Sequence, residues 1–203
     1  MRGKVLEEST AQRIKEAARD IFFEKGYDGA TMQAIADRSQ VNKALLHYYY
    51  RCKNNLFLLI FGEEFQRLLQ IGQDTLLDPS LPLHEKLERW VEREYRFLSR
   101  MPQLPLFLIN EFQRNPDLVL ELLRKVNMTD TTRQLKKHNA ELSARGCGVS
   151  MEELFTMVIS LLFFPFMGAP IVRFMWDLSP ARWDEVREKQ FALIKELVRK
   201  YVG

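Results

Sequence analysis

Residues 31–53 read Thr-Met-Gln-Ala-Ile-Ala-Asp-Arg-Ser-Gln-Val-Asn-Lys-Ala-Leu-Leu-His-Tyr-Tyr-Tyr-Arg-Cys-Lys, and no other stretch so restricts what the chain can fold into. Thr31 and Asn42 are N-capping residues, because a short side-chain oxygen accepts a hydrogen bond from a free N–H of the first helical turn. Each cap precedes a short helical stretch with its apolar residues on one side, Ile35 and Ala36 in the first, Leu46 and Tyr50 in the second. Two short helices with a tight break at Gln40 make a helix-turn-helix, a shape that lays its second helix in a DNA groove.

The flanking sequence is helical throughout. Ile14, Ala17, Ala18, Ile21 and Phe22 form one apolar face, which predicts a helix from Ser9, with Ser9 and Gln12 as a capping box, ending at Lys25-Gly26 in a left-handed glycine. A fourth helix starts at Lys53 and runs through Leu56, Phe57, Ile60 and Phe65 toward Gly72. Prolines in residues 78–82 break the pattern. Leu83, Leu87, Trp90, Val91, Tyr95 and Leu98 then give an amphipathic helix ending near Met101-Pro102, and a short helix follows over 106–114. Asn115-Pro116 opens one long helix predicted to reach Ala144. Ser150 with Glu153 gives another capping box, and Ser179-Pro180 starts the last helix, through Val186, Leu193, Ile194, Leu197 and Val198. No segment alternates as a strand does, and none repeats. The expected fold class is all-α: a helix-turn-helix domain over 1–53 and a larger helical domain over 54–203.

A chain of 203 residues that is 46% hydrophobic, with eight prolines and nine glycines, can bury a substantial core without staples. Cys52 and Cys147 are isolated and belong to no ligand set, and no signal-peptide pattern opens the chain, so a reducing cytoplasm is expected, with no metal and no cofactor. The formal charge of +3 is unevenly placed: residues 1–53 hold ten Lys/Arg against seven Asp/Glu, whereas 54–203 hold twenty of each. That surplus fits a polyanion partner for the first domain and fits an ordinary solvated surface as well. Residues 154–172 form an uncharged run of 19, long enough by itself for a membrane span. Pro165, Gly168 and Pro170 interrupt it and charged residues follow, so it is read as a buried helix at a subunit interface, with no membrane.

The pattern Thr31-x-x-x-Ile35-Ala36-x-x-Ser39-x-Val41-Asn42-Lys43-Ala44-x-Leu46-x-x-Tyr49-Tyr50-x-x-Lys53-x-x-Leu56, preceded by Phe22-x-x-x-Gly26-Tyr27, resembles the N-terminal domain of TetR/AcrR-type transcriptional regulators over about residues 9–60. Beyond it the chain is similar to that family only in length, helix count and position. The resemblance implies a homodimer that binds a double-stranded DNA operator, usually represses, and releases DNA when a small molecule binds the larger domain. Two positions depart from the pattern. Gln40 stands where glycine is frequent, so a residue with a side chain must take a positive φ. Leu45 stands where Thr or Ser is frequent, which allows contact with a thymine methyl but no phosphate hydrogen bond.

On this reading Lys43 and Lys53 contact phosphates, and Tyr48 a phosphate or sugar. Ala44, Leu45 and His47 face base edges, Gln33 reaches from the second helix, and Thr31 bonds a phosphate besides capping. Arg2 and Lys4 form an arm for the minor groove. Tyr49 and Tyr50 are expected to be structural. In the larger domain Trp90, Phe97, Phe107, Phe112, Met128 and Met157 supply apolar surface for an effector pocket, with Asn110 and His138 as polar handles. The helices from Ser150 and from Ser179 are the expected dimer interface, pairing with their twofold mates as a four-helix bundle. Enzymatic function finds no support: the histidines are unclustered, and no metalloprotease motif, phosphate-cradling glycine loop or nucleophile elbow is present. A helical protein-interaction or membrane-associated module is the alternative. It accounts for the apolar run but not for the ordered pattern of 31–53.

Overall fold

The computed structural model describes the backbone of residues 2–144, 146 and 148–202, with side chains from Thr10 onward. Cys147 and the side chains of Arg2, Lys4 and Ser9, and with them the expected arm and first cap, lie outside the described parts. Among the described residues all regular structure is helical: α1 (Arg2–Gly29), α2 (Met32–Ser39), α3 (Lys43–Tyr50), α4 (Lys53–Leu76), α5 (Leu83–Arg100), α6 (Leu104–Arg114), α7 (Pro116–Lys125), α8 (Met128–Lys136), α9 (Asn139–Ala144), α10 (Met151–Met167), α11 (Ala169–Met175) and α12 (Pro180–Val202). Two compact units divide between Phe65 and Gln66, inside α4. The first unit thus takes in the first half of α4 as well as residues 1–53, because Leu56, Phe57, Ile60 and Phe61 are buried and Phe57 sits edge-on to Phe22 of α1 at 5.0 Å.

In the first unit Ile14, Ala18, Ile21 and Phe22 of α1 face Ile35 and Ala36 of α2 and Leu46 of α3, all buried. The helix begins at Arg2 rather than Ser9, since Lys4, Leu6, Glu7 and Glu8 are all good helix formers. Gly26 breaks it with φ 66 and ψ −179, a conformation open essentially to glycine alone, though not the left-handed helical one expected. Gln40 does take the left-handed conformation, at φ 55 and ψ 39, with its N–H turned back to the α2 carbonyls of Ala36 and Asp37.

The second unit is built on α5, which packs against both α10 and α12. Tyr95 stacks on Phe191 at 4.3 Å and donates its hydroxyl to Glu188 at 2.9 Å, and Arg199 grips Glu88 through two bonds of 2.8 Å. The expected long helix from Asn115 is instead three helices, α7 to α9. Asn127 adopts φ 53 and bonds its own Asp130 at 2.7 Å, and the Thr129-Asp130-Thr131-Thr132 run that follows is a poor helix former. The break frees the Val126 carbonyl to accept from Gln73 of α4 at 2.7 Å.

The capping box forms at the start of α10: Glu153 N–H donates to Ser150 Oγ at 3.2 Å, and Ser150 N–H to the Glu153 carboxylate at 2.7 Å. These donors hold the Glu153 carboxyl below its ordinary range. Helix α10 then ends at Gly168, where a Cβ would lie 2.7 Å from the Phe164 ring, and α11 leaves at 70° to α10. Among the described residues no single helix is long and apolar enough to cross a membrane. The apolar run is buried on one side only. Leu154, Val158, Leu162 and Phe163 face inward, while Phe155 and Phe164 are exposed.

Candidate nucleic-acid interface

Both caps expected of the short helices are made. Thr31 Oγ1 accepts from Ala34 N–H at 3.1 Å, and Asn42 Oδ1 from Leu45 N–H at 2.7 Å. Arg13 closes the other end of α2, donating to the Ser39 carbonyl at 2.7 Å where the helix dipole is negative. Leu46 is the anchored side of α3, fully buried, and Tyr50 turns inward with it, its hydroxyl bonded to the Ala11 carbonyl at 3.0 Å. Burial pushes the Tyr50 phenol up to about 12, so it remains a neutral structural donor.

The opposite side of α3 is open. Lys43, Ala44 and His47 are exposed, Leu45 is partly so, and Tyr48 is 74% exposed with its ring edge-on to Tyr49 at 5.4 Å. Thr31 and Gln33 are exposed on α2, although Gln33 lends its amide N–H to Asp37 at 2.8 Å. Arg38 is occupied by Glu24 through bonds of 2.7 and 2.9 Å, which hold that carboxyl below the usual range and neutralise an acidic charge in the unit. What remains outward on α3 is a surface of one ammonium, one imidazole and one phenol around a small residue, able to meet phosphates and base edges.

Residues 14–60 match the family model described as bacterial regulatory proteins, tetR family. The N-terminal domain belongs to the tetR family. The chain is 29% identical over 112 residues to the HTH-type transcriptional regulator YhgD of Bacillus subtilis, covering 55% of this chain and 50% of that one. It is 26% identical over 102 residues to the HTH-type transcriptional repressor AcnR of Corynebacterium glutamicum, covering 49% and 54%. The chain thus spans about half the length of the curated relatives it matches. The fold likeness extends further: a TetR family transcription regulator from Marinobacter aquaeolei superimposes over 97% of both chains with a TM-score of 0.67 at 18% identity.

Within the tetR-family domain, Lys53, expected at a phosphate, also makes contacts inside the protein. Its ammonium donates to the Tyr27 carbonyl at 2.9 Å and the Ala30 carbonyl at 3.1 Å and sits 4.2 Å from the Tyr27 ring centre. Two of its three donors thus hold the end of α1 to the start of α4. Arg51 went unnoticed in the sequence: it ends α3 at φ 57 and ψ −55, and nothing in an arginine signals a positive φ.

The effector-pocket candidates of the second unit do not all meet. Helices α5, α6 and α8, which carry most of them, each pack against α10. Trp90 and Phe107 are buried, whereas Phe97, Phe112, Met128, His138 and Met157 are half-buried. Asn110 is exposed, on the outer face of α6. His138 Nδ1 lies 3.1 Å from the carboxylate of Glu141, three residues on. Glu94 was missed, although it interrupts the apolar face of α5. It is 2% exposed and accepts from the Trp90 indole at 3.1 Å, beside the Trp90–Phe155 stack.

Proposed function

We propose that this chain is a transcriptional regulator that binds an operator as a homodimer, represses from it, and releases DNA when a small apolar or amphipathic effector occupies the second unit. The observation that carries the reading is the two-sidedness of α3: Leu46 and Tyr50 anchor it, and Lys43, Ala44, His47 and Tyr48 are left to solvent. The tetR-family match supports DNA binding, and the likeness to the repressor AcnR supports repression. Thr31 serves the duplex through the free N–H groups its cap leaves at the α2 start, with Gln33, Ala44 and Leu45 alongside. Lys53 acts chiefly by fixing the base of the reading head.

Exposed apolar residues on the last three helices support self-association: Phe164 and Leu193, together with Phe174 at 88% and Trp176 at 72% exposure. A contiguous exposed apolar patch marks an interaction site. It also favours the alternative reading of a helical interaction module, which leaves the α3 surface without a purpose. Because α4 starts in one unit and ends in the other, it is the segment through which an effector would change the separation of two heads, set at roughly 34 Å by the turn of the duplex. The protein would work in the cytoplasm, where its operator is.

Binding to DNA from upstream of the protein's own gene, measured at two salt concentrations, tests the reading. Phosphate contacts require affinity to fall steeply with salt. Tyr48→Ala and Lys43→Ala should weaken that binding and leave the dimer intact in sedimentation. A salt-independent or absent interaction supports the interaction module instead.

A further inference from the structure

His47 stands four residues before Arg51, and the two are joined twice. Arg51 N–H donates to the His47 carbonyl at 2.9 Å, and His47 Nδ1 lies 2.7 Å from the Arg51 carbonyl oxygen. The second contact depends on an unusual backbone. With φ 57 and ψ −55 at Arg51 and a bond of 2.6 Å from Cys52 N–H to the Tyr50 carbonyl, residues 50–52 form a γ-turn of the rare, strained kind with positive φ. That turn aims the Arg51 carbonyl back at the imidazole.

A carbonyl oxygen only accepts, so the hydrogen of the contact sits on Nδ1. In the neutral ring the other nitrogen, Nε2, then carries a lone pair and no hydrogen. The ring is exposed on the same side of α3 as Lys43 and Ala44, one turn earlier. In the major groove hydrogens are offered by the exocyclic amino groups of adenine and cytosine, whereas guanine and thymine present acceptors. We propose that His47 is a specificity determinant whose tautomer, fixed by the strained turn at Arg51, makes Nε2 an acceptor that selects an amino base, adenine or cytosine, at one position of each half-site. This rests on the DNA-binding reading above and adds to it which chemistry the third helix asks of its sequence.

The experiment uses the full chain and a pool of random duplexes, selected at about pH 8, where imidazole is neutral. The retained sequences should carry adenine or cytosine at one half-site position for the wild type and lose that preference alone for His47→Ala. In a selected duplex with adenine there, its replacement by purine, which lacks the amino group, should weaken wild-type binding about fivefold, the scale of one ordinary hydrogen bond. The same replacement should leave His47→Ala binding unchanged. A nitrogen NMR spectrum of the free protein should place the ring hydrogen on Nδ1. A base preference that His47→Ala retains, a purine replacement felt equally by both proteins, or a hydrogen on Nε2 each overturns the assignment. Retention of no duplex at all overturns the DNA-binding reading itself, and the assignment with it.

Discussion

Glu94 permits a quantitative prediction about the second unit. It lies on the face of α5 otherwise formed by Leu87, Trp90, Val91 and Leu98, and the Trp90 indole is the hydrogen-bond partner of its carboxyl among the described residues. Burial pushes that carboxyl up to about 8 from an ordinary 4.5, and the indole N–H opposes the rise only weakly. Between those two values the folded side chain keeps its proton while the unfolded one has released it. The native state therefore binds more protons, and stability falls as pH rises through the window, the contribution of the protonated Glu94 being intact below 4.5 and lost above 8. At about 1.4 kcal/mol for each tenfold in acidity, the loss amounts to about 5 kcal/mol. Glu94→Gln keeps the shape and the acceptor for the indole but never ionises. Urea unfolding of both proteins should give similar stabilities near pH 4.5 and a gap that widens toward pH 8 and beyond, with the variant the more stable. A gap that stays constant with pH, or a variant less stable in alkali, would refute the reasoning, because it would mean that the native carboxylate is ionised and has found a charged partner.

Three further outcomes test the first unit. Lys53→Met keeps the aliphatic stem but leaves the Tyr27 and Ala30 carbonyls without their ammonium, and should cost about 2 kcal/mol in denaturant unfolding, whereas a lysine serving only phosphates would cost nothing in the absence of DNA. Gln40→Gly relieves the left-handed backbone at φ 55, worth about 1–2 kcal/mol, against about 0.5–1 kcal/mol of added chain entropy, so thermal unfolding should move upward by a few degrees. Asn42→Ala removes the acceptor for Leu45 N–H and should destabilise the unit by about 1 kcal/mol, with amide exchange accelerated first in the opening turn of α3.

What the sequence made legible was whatever near neighbours decide. Thr31, Asn42 and the Ser150–Glu153 pair cap their helices as read, because a cap is settled within four residues. Gln40 takes its positive φ because the break between α2 and α3 leaves it no alternative. The solvent side of α3 was readable for the same reason, since the burial of Leu46 fixes which way Lys43, Ala44 and His47 point. Lys53 was not readable. A lysine at a helix start serves a phosphate or a carbonyl equally well, and only the return of residues 27–30 to within 3.1 Å of its ammonium adds the carbonyls to its partners.

The carbonyl that the break at Asn127 leaves over depends on a distant partner in the same way, since Val126 is met by Gln73 arriving from α4. Glu94 is the opposite case, because its signal was present and passed over. In the series Leu87, Val91, Glu94, Leu98 one acid stands at a spacing that must face the core. Periodicity alone therefore implies a buried carboxyl, and with it the pH dependence. A charged residue in register with an apolar stripe is the position at which such a stripe departs from packing alone, and in this chain it falls in the unit where an effector is expected to bind.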